Sequence, residues 1–369
     1  MAGLAIAPFE ELEITTMTLV IMMTREVHLD SVFNLLPVTY LNLPPPRRQA
    51  SRYKIPVLGI PGAILSLRYA GSTRGIIRSS NPEHFRNSIT IDISTAAKNI
   101  SIKLSREKIH ICGAKSEAMG VEGARYLIEH IKAAQHIVER IRSDLGRAKA
   151  TIGWLADQTR GEATRRYAIE KRVYASIGLT INLRVDQGPD YLIKPLTESE
   201  YPGGVDGEIA QFLSRQVPDF YYHSDYESML NWACTVVKVC EPDIGIGAVY
   251  KAMVNYNYNI GANIDRNALR DLINGRDGFF ARFYNEIEHN VTIELPYVVP
   301  ENLRIIHTRK KLPCHTFLIY RSGIVTQSGP TEELVCEAYY HFMQTISQLY
   351  RHIIQTEAPM TRPTLVMAS

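Results

Sequence analysis

The sequence predicts an α+β protein. Two pseudo-symmetric repeats, each an antiparallel group of strands crossed by a long helix, flank an inserted α/β subdomain. Three observations carry that prediction. Alternating apolar and polar runs come in pairs joined by glycine turns, each such pair leads into a long stretch with apolar residues at three-to-four spacing, and this order occurs twice.

Residues 109–126, IHICGAKSEAMGVEGARY, hold the first copy. Ile109 and Ile111 alternate with His110 and Cys112, Gly113 permits a tight turn, and Ser116 can cap the helix that follows. Residues 317–342, FLIYRSGIVTQSGPTEELVCEAYYHF, hold the second. Phe317 and Ile319 alternate with Leu318 and Tyr320, Ser322 and Gly323 make a hairpin turn, and Val325 and Gln327 alternate with Thr326 and Ser328. Gly329 then turns the chain, Thr331 can cap, and Glu332 and Glu333 lie in the first helical turn, where the dipole favours them. The helical stripes are Val121, Ala124, Ile128, Ile131, Ala134, Val138 and Ile141 in one copy. In the other they are Leu334, Ala338, Phe342, Ile346, Leu349 and Ile353.

The remaining elements follow in chain order. Residues 16–23 read as a strand, and Asp30 as the cap of a short helix limited by Pro37. An extended loop then covers 37–85. Within it, residues 43–54, LPPPRRQASRYK, carry Arg47, Arg48, Arg52 and Lys54, either as a solvated loop or as a phosphate-contacting arm. Residues 55–78 hold strand-like pieces, and 88–93 and 99–104 alternate cleanly, completing a first repeat at 1–147. The inserted subdomain spans 148–247. It holds a basic helix continuing past Trp154, a strand-like run at 175–185, and helices at 209–213 and 229–239. Gly245 and Gly247 within it make a weak phosphate-loop pattern that reads better as a structural turn. A second repeat at 248–355 opens with the strand 249–260 and a helix capped by Asn263 or Asp265. Further strands are expected at 279–283, 291–295 and 303–306, and then a basic turn carries Arg309, Lys310 and Lys311. Residues 356–369 read as a flexible tail.

Composition narrows the function classes. With 369 residues and 45% hydrophobic content the chain can bury a sizeable core, and a net charge of +3 permits nucleic-acid binding without indicating it. The cysteines Cys112, Cys234, Cys240, Cys314 and Cys336 lack paired metal spacing and read as free thiols in a reducing compartment. No run is long and apolar enough to span a bilayer, since 17–23 is strand length. Neither a Walker loop, a nucleophile elbow nor a metal cluster is visible. His110 and Cys112 share a strand face without a third orienting group. The expectation is a non-enzyme without cofactor or metal.

GAKSE before an alanine-bearing helix, and FLIYRSGIVTQSG in the second copy, resemble the hairpin-and-helix ends of the two repeats of the TATA-box-binding protein family. Upstream, residues 19–35 and 253–269 resemble that family's opening strands and first helices. The resemblance implies a saddle-shaped, curved antiparallel sheet with helices on its convex face. Its concave face would lie on the DNA minor groove, with apolar wedges between base steps and asparagines at base edges. Carried over residue by residue, the asparagine positions fall on Thr18 and Ala252 and the neighbouring valines on Val20 and Val254. The wedges fall on Asn87, Leu104, Leu303 and Tyr320, and further groove positions on His110, Cys112, Thr326 and Ser328. Ala252 cannot hydrogen-bond a base, and Asn87 would lose water on inserting between bases, so the scaffold is kept and most of the reading face is not. Lys103 falls where the resemblance turns side chains toward the helices, a conflict that a one-residue slip of register would remove.

Two readings follow from this. One is a divergent transcription-initiation factor, of the kind large DNA viruses encode, that touches double-stranded DNA with its sheet and transcription proteins with its helices. It would act in the nucleus or a viral factory. The other is a structural or assembly protein, a virion or minor capsid component, that reuses the fold as a protein-binding scaffold.

Overall fold

The computed structural model of the chain describes residues 7–38, 60–77, 85–159, 180–181, 201–214, 238–284, 288–305 and 312–355. The loop arginines Arg47, Arg48 and Arg52 with Lys54, the basic turn Arg309, Lys310 and Lys311, all but the last two residues of the helix expected at 229–239, and the tail at 356–369 lie outside the described residues. The chain divides into two compact units, a larger one of Leu19–Tyr250 and a smaller one of Met1–Thr18 with Lys251–Ser369. Residues 148–247 therefore belong to the same compact unit as 19–147.

The larger unit contains α1 (Leu29–Leu35), β2 (Ile64–Tyr69), β3 (Ser72–Ile77), β4 (Ile89–Ser94), β5 (Asn99–Leu104), β6 (Lys108–Ala114), α2 (Glu117–Ser143), α3 (Leu145–Thr159), β7 (Thr180–Ile181) and α4 (Gly207–Ser214). The second half of β1 (Ile14–Met23) and the first residues of β8 (Ile246–Asn259) complete it. The strands run in the order β7-β3-β2-β4-β5-β6-β1-β8. Ala70 and Gly71, both at positive φ, form the two-residue turn between β2 and β3 that matches strand twist. In β5 the alternation is strict, and Ile102 and Leu104 pair with Ile111 and Ile109 of β6 on the buried side.

Ser116 caps α2 by accepting from the Met119 amide at 3.2 Å. The helix approaches the sheet closely because Gly120 and Gly123 face Leu19 and Ile100, where a Cβ would come within 2.3 and 2.4 Å of their methyl carbons. The basic helix expected past Trp154 is α3, which runs on to Thr159 but is separate from α2. Asp144 leaves helical geometry (φ −145°, ψ 84°) and α3 starts afresh, with the Asp144 carboxylate accepting from the Arg147 amide at 2.9 Å. Asp30 is not the cap of α1 but lies in its first turn, after His28.

Asp206 ties α3 and α4 to α2. Its buried carboxylate accepts from Arg140 Nε at 2.7 and 2.9 Å, and also from the Glu208 and Ile209 amides at the start of α4. The Asp206 amide donates to Thr151 Oγ1 of α3 at 2.7 Å. Asp206→Ala removes a helix cap and a charge-assisted pair, while Arg140, 32% exposed, keeps access to water. The expected cost is about 2 kcal/mol. It should appear as faster proteolytic cleavage within 201–214, and an unchanged cleavage rate would count against this account of the junction.

The smaller unit contains the first half of β1, the remainder of β8, α5 (Arg266–Ile273), β9 (Phe280–Arg282), β10 (Asn290–Pro296), β11 (Cys314–Tyr320), β12 (Ile324–Gly329) and α6 (Glu332–Ile353). Its strand order is β1-β8-β12-β11-β10-β9. Asp265 caps α5 and Thr331 caps α6. Of the strand expected at 303–306, the described residues 303–305 are not extended, because residues 301–303 close a 3₁₀ turn after Pro300. Phe317 of β11 stacks on Phe342 of α6 with centroids 4.4 Å apart and planes 19° apart, and Phe279 meets both edge-on at 6.1 Å. Gln327 sits on this buried side because its amide is satisfied. Nε2 donates to the Val335 carbonyl at 2.8 Å, and Oε1 accepts from Tyr258 at 3.1 Å. A short N-terminal 3₁₀ turn, Phe9–Glu11, packs Phe9 on Tyr256 and Tyr339, and its amide donates to the Tyr340 hydroxyl at 3.1 Å.

Candidate functional site

In each unit the helices cover one face of the sheet, so the alternation along each strand decides what the other face displays. In the larger unit that face carries Ser66 and Arg68 of β2, Thr90 and Asp92 of β4, Ser101 and Lys103 of β5, and Lys108, His110 and Cys112 of β6. Its β2–β4 end is closed over. Ser66 and Thr90 are buried, and Asp92 accepts from Ser66 at 2.7 Å and pairs with Arg68 at 3.3 Å. The β5–β6 end is open. Lys103 and Lys108 flank His110 there, with the Lys103 ammonium 4.2 Å from the Phe85 ring centroid. Burial, and then the charges of Lys108 and Lys103, hold the His110 imidazole below its ordinary pKa. His110 therefore adds hydrogen-bonding capacity rather than charge near neutrality, and Lys103 and Lys108 supply the positive potential.

In the smaller unit the corresponding face has, among the described residues, charge only at its edge and at Lys251 of β8, which pairs with Glu332 at 3.0 Å. Asn255, Asn257 and Asn259 of β8 lie opposite Ser328, Thr326 and Ile324 of β12. Thr316, Leu318 and Tyr320 of β11 lie opposite Glu294, Thr292 and Asn290 of β10. Thr16 joins this set, accepting from Asn255 Nδ2 at 2.8 Å. Arg282 and Glu294 stand 3.9 Å apart at the β9 edge.

This geometry corrects several expected positions. Leu104 is not a groove-facing wedge, because it is fully buried at 0% exposure on the helix side, and it is Lys103 that faces outward. The conflict seen at Lys103 in the sequence is thus resolved by a shift of one residue. The same shift occurs in β8. Val254 is fully buried beside Tyr256, and Ala252 has the same strand parity, so Met253, Asn255 and Asn257 occupy the outward positions instead. Leu303 is buried in the 3₁₀ turn. Val20 is 3% exposed between two fully buried neighbours, Leu19 and Ile21, so it is covered whichever way it points. Asn87 is exposed before β4 and lines a cleft rather than a strand face.

Thr18, His110, Cys112, Tyr320, Thr326 and Ser328 do fall on the outward side of their strands. Sequence reasoning missed Lys103, Lys108, Asn255 and Asn257 as surface groups. The signal was present, since Ile102 and Leu104 bracket Lys103, and Val254 and Tyr256 bracket Asn255, in unbroken alternation.

Gly247 is explained by packing rather than phosphate binding, because a Cβ there would stand 2.9 Å from the Met22 carbonyl oxygen. Among the described residues no group of three or more His, Cys, Asp or Glu side chains could hold a metal ion, and no helix is long and apolar enough to cross a membrane.

Fold and site together define an α+β protein of two compact units, each presenting one sheet face away from its helices, with basic charge on one of them that has no ion-pair partner among the described residues. No protein-family profile and no curated protein matches the chain. Among solved structures it is similar to Methanococcus jannaschii TBP, with a TM-score of 0.34 and 10% identity over 92% of this chain and 98% of that one. A similarity of that size carries no argument about function, so the chemistry of the exposed faces must decide it.

Proposed function

We propose that the chain is a non-enzymatic, double-stranded-DNA-binding protein of the TATA-box-binding kind, acting in transcription initiation, whose base-reading residues are largely replaced. On this reading it holds DNA through the β5–β6 face of the larger unit. The observation that carries the reading is the placement of Lys103 and Lys108 outward on adjacent strands with no carboxylate partner among the described residues, while Arg68 on the same face is neutralised by Asp92. Such a pair favours phosphates and does not read bases. Sequence preference would come from deformability or from the amide and hydroxyl row of Asn255, Asn257, Thr326 and Ser328.

The test is fluorescence anisotropy of A·T-rich and G·C-rich duplexes across a salt series. The wild-type chain should lose affinity steeply with salt, and Lys103→Glu/Lys108→Glu should lower the slope of log K against log salt by about 2, since each phosphate contact contributes roughly 0.9. Absence of binding at about 50 mM salt would sink the reading.

That outcome would favour an assembly protein. The observation behind this second reading is the neutral face of the smaller unit, near which Phe280, Val298, Leu312 and Ile324 are 57, 84, 62 and 44% exposed.

A further inference from the structure

A cleft of about 1230 Å³ lies wholly within the larger unit, between the end of β1 with its following turn, the β5–β6 turn, and residues 238–241. It exceeds the roughly 300–1,000 Å³ of an ordinary small-ligand pocket. Its walls are bonded to one another. The Met23 amide donates to the Glu107 carbonyl at 2.8 Å, the Val27 amide to the Arg106 carbonyl at 2.9 Å, and the His28 amide to the Val239 carbonyl at 2.9 Å. The cleft is thus a preformed feature of the backbone and does not depend on long side chains to shape it.

The charges that line it fall into two classes. Arg25 is neutralised by Asp243 at 2.6 Å, and Lys238 by Glu241. Arg86, Arg106 and Lys108 make no ion pair among the described residues. Glu26, Asp30 and Glu107 also line the space, Asp30 bonded to Tyr69, so an anion is favoured only where it sits against Arg86, Arg106 and Lys108 and away from these carboxylates. Two guanidinium forks and an ammonium suit phosphate oxygens better than a single carboxylate, because each guanidinium can donate two parallel bonds to one phosphate. A concave wall also focuses their field.

We propose that this cleft binds an oligophosphate, held by Arg86, Arg106 and Lys108. The proposal does not depend on the DNA reading. The phosphates can be those of a free polyanion or of a nucleic-acid backbone leaving the adjacent β5–β6 face, since Lys108 belongs to both surfaces.

Two titrations separate these sources, one calorimetric with inorganic tripolyphosphate and one with a short duplex, on the full chain and on Arg86→Glu/Arg106→Glu. Arg86 and Arg106 are exposed, so folding should survive, and a thermal melt checks this. Arg142→Glu, on an exposed position of α2, controls for net charge. Loss of a charge-assisted bond costs about tenfold in affinity. Tripolyphosphate binding weakened at least that much in the double variant and not in the control supports a free polyanion. Duplex affinity weakened by the double variant without any tripolyphosphate binding supports a backbone phosphate. The milder Arg86→Gln/Arg106→Gln pair should fall between wild type and charge reversal. If neither ligand distinguishes the double variant from the control, the proposal is overturned.

Discussion

Phe342→Ala is expected to destabilise the smaller unit by about 4 kcal/mol, within the roughly 3–5 kcal/mol typical of a buried phenylalanine. Phe342 is fully buried and lies at the crossing of α6 over the sheet, stacked on Phe317 and met edge-on by Phe279. Truncation leaves a hole that none of these rings can fill without abandoning contact with the others, and the tight packing of such cores limits relaxation. Urea denaturation followed by far-UV circular dichroism measures the loss, with exposed His352→Ala of the same helix as control. Phe317→Ala alone and the double variant complete a cycle, whose coupling should be about 1 kcal/mol for a stacked pair. A loss below about 1 kcal/mol for Phe342→Ala would mean that α6 does not hold this core.

The same aromatic core shows what the sequence could disclose. Alternation in residues 317–328 and three-to-four spacing in 332–353 name the residues that become buried, including Phe317, Ile319, Val325, Phe342 and Ile346. Periodicity is a direct image of burial, so strands and helices built on it could be read. Gln327 was readable as inward by the same rule, and the structure supplies its partners, Tyr258 and Val335.

What could not be read was register relative to a distant resemblance. In β5 and β8 the carry-over placed Leu104, Ala252 and Val254 outward. The local alternation places Lys103 and Asn255 there, and a slip of one residue exchanges the two faces completely. The candidate site was therefore legible in part. His110 and Cys112 came from local alternation, whereas Arg86, Arg106 and Lys108 are brought to one cleft by contacts between segments far apart in the chain, which no local pattern encodes. The helix break at Asp144 was likewise hidden, because Asp144 and Gly146 interrupt an otherwise periodic run without changing its spacing.

The second large effect is a dependence of stability on pH set by His315. This residue of β11 is 3% exposed, its ring 4.8 Å from that of Tyr297, and its Nδ1 has no hydrogen-bond partner among the described residues. Gly329 leaves the ring its space, since a Cβ there would stand 2.4 Å from Nδ1. Burial pushes the imidazole down to about 4, from an ordinary value of 6.5.

The folded pKa lies below the unfolded one, so between them the unfolded chain binds the proton that the folded chain refuses. Stability is accordingly undiminished above about pH 6.5 and falls as the pH drops toward 4, by roughly 3 kcal/mol in total from this one group. Denaturation midpoints at pH 7, 5.5 and 4 should decline for the wild-type chain and decline much less for His315→Leu. Carboxylates that protonate near the bottom of this range, and His110, whose shift has the same sign, act in both proteins and cancel in the comparison. The informative quantity is the difference in slope, which is insensitive to any packing cost that leucine incurs beside Gly329. Parallel slopes would place the His315 imidazole in contact with water in the folded state, contrary to its burial.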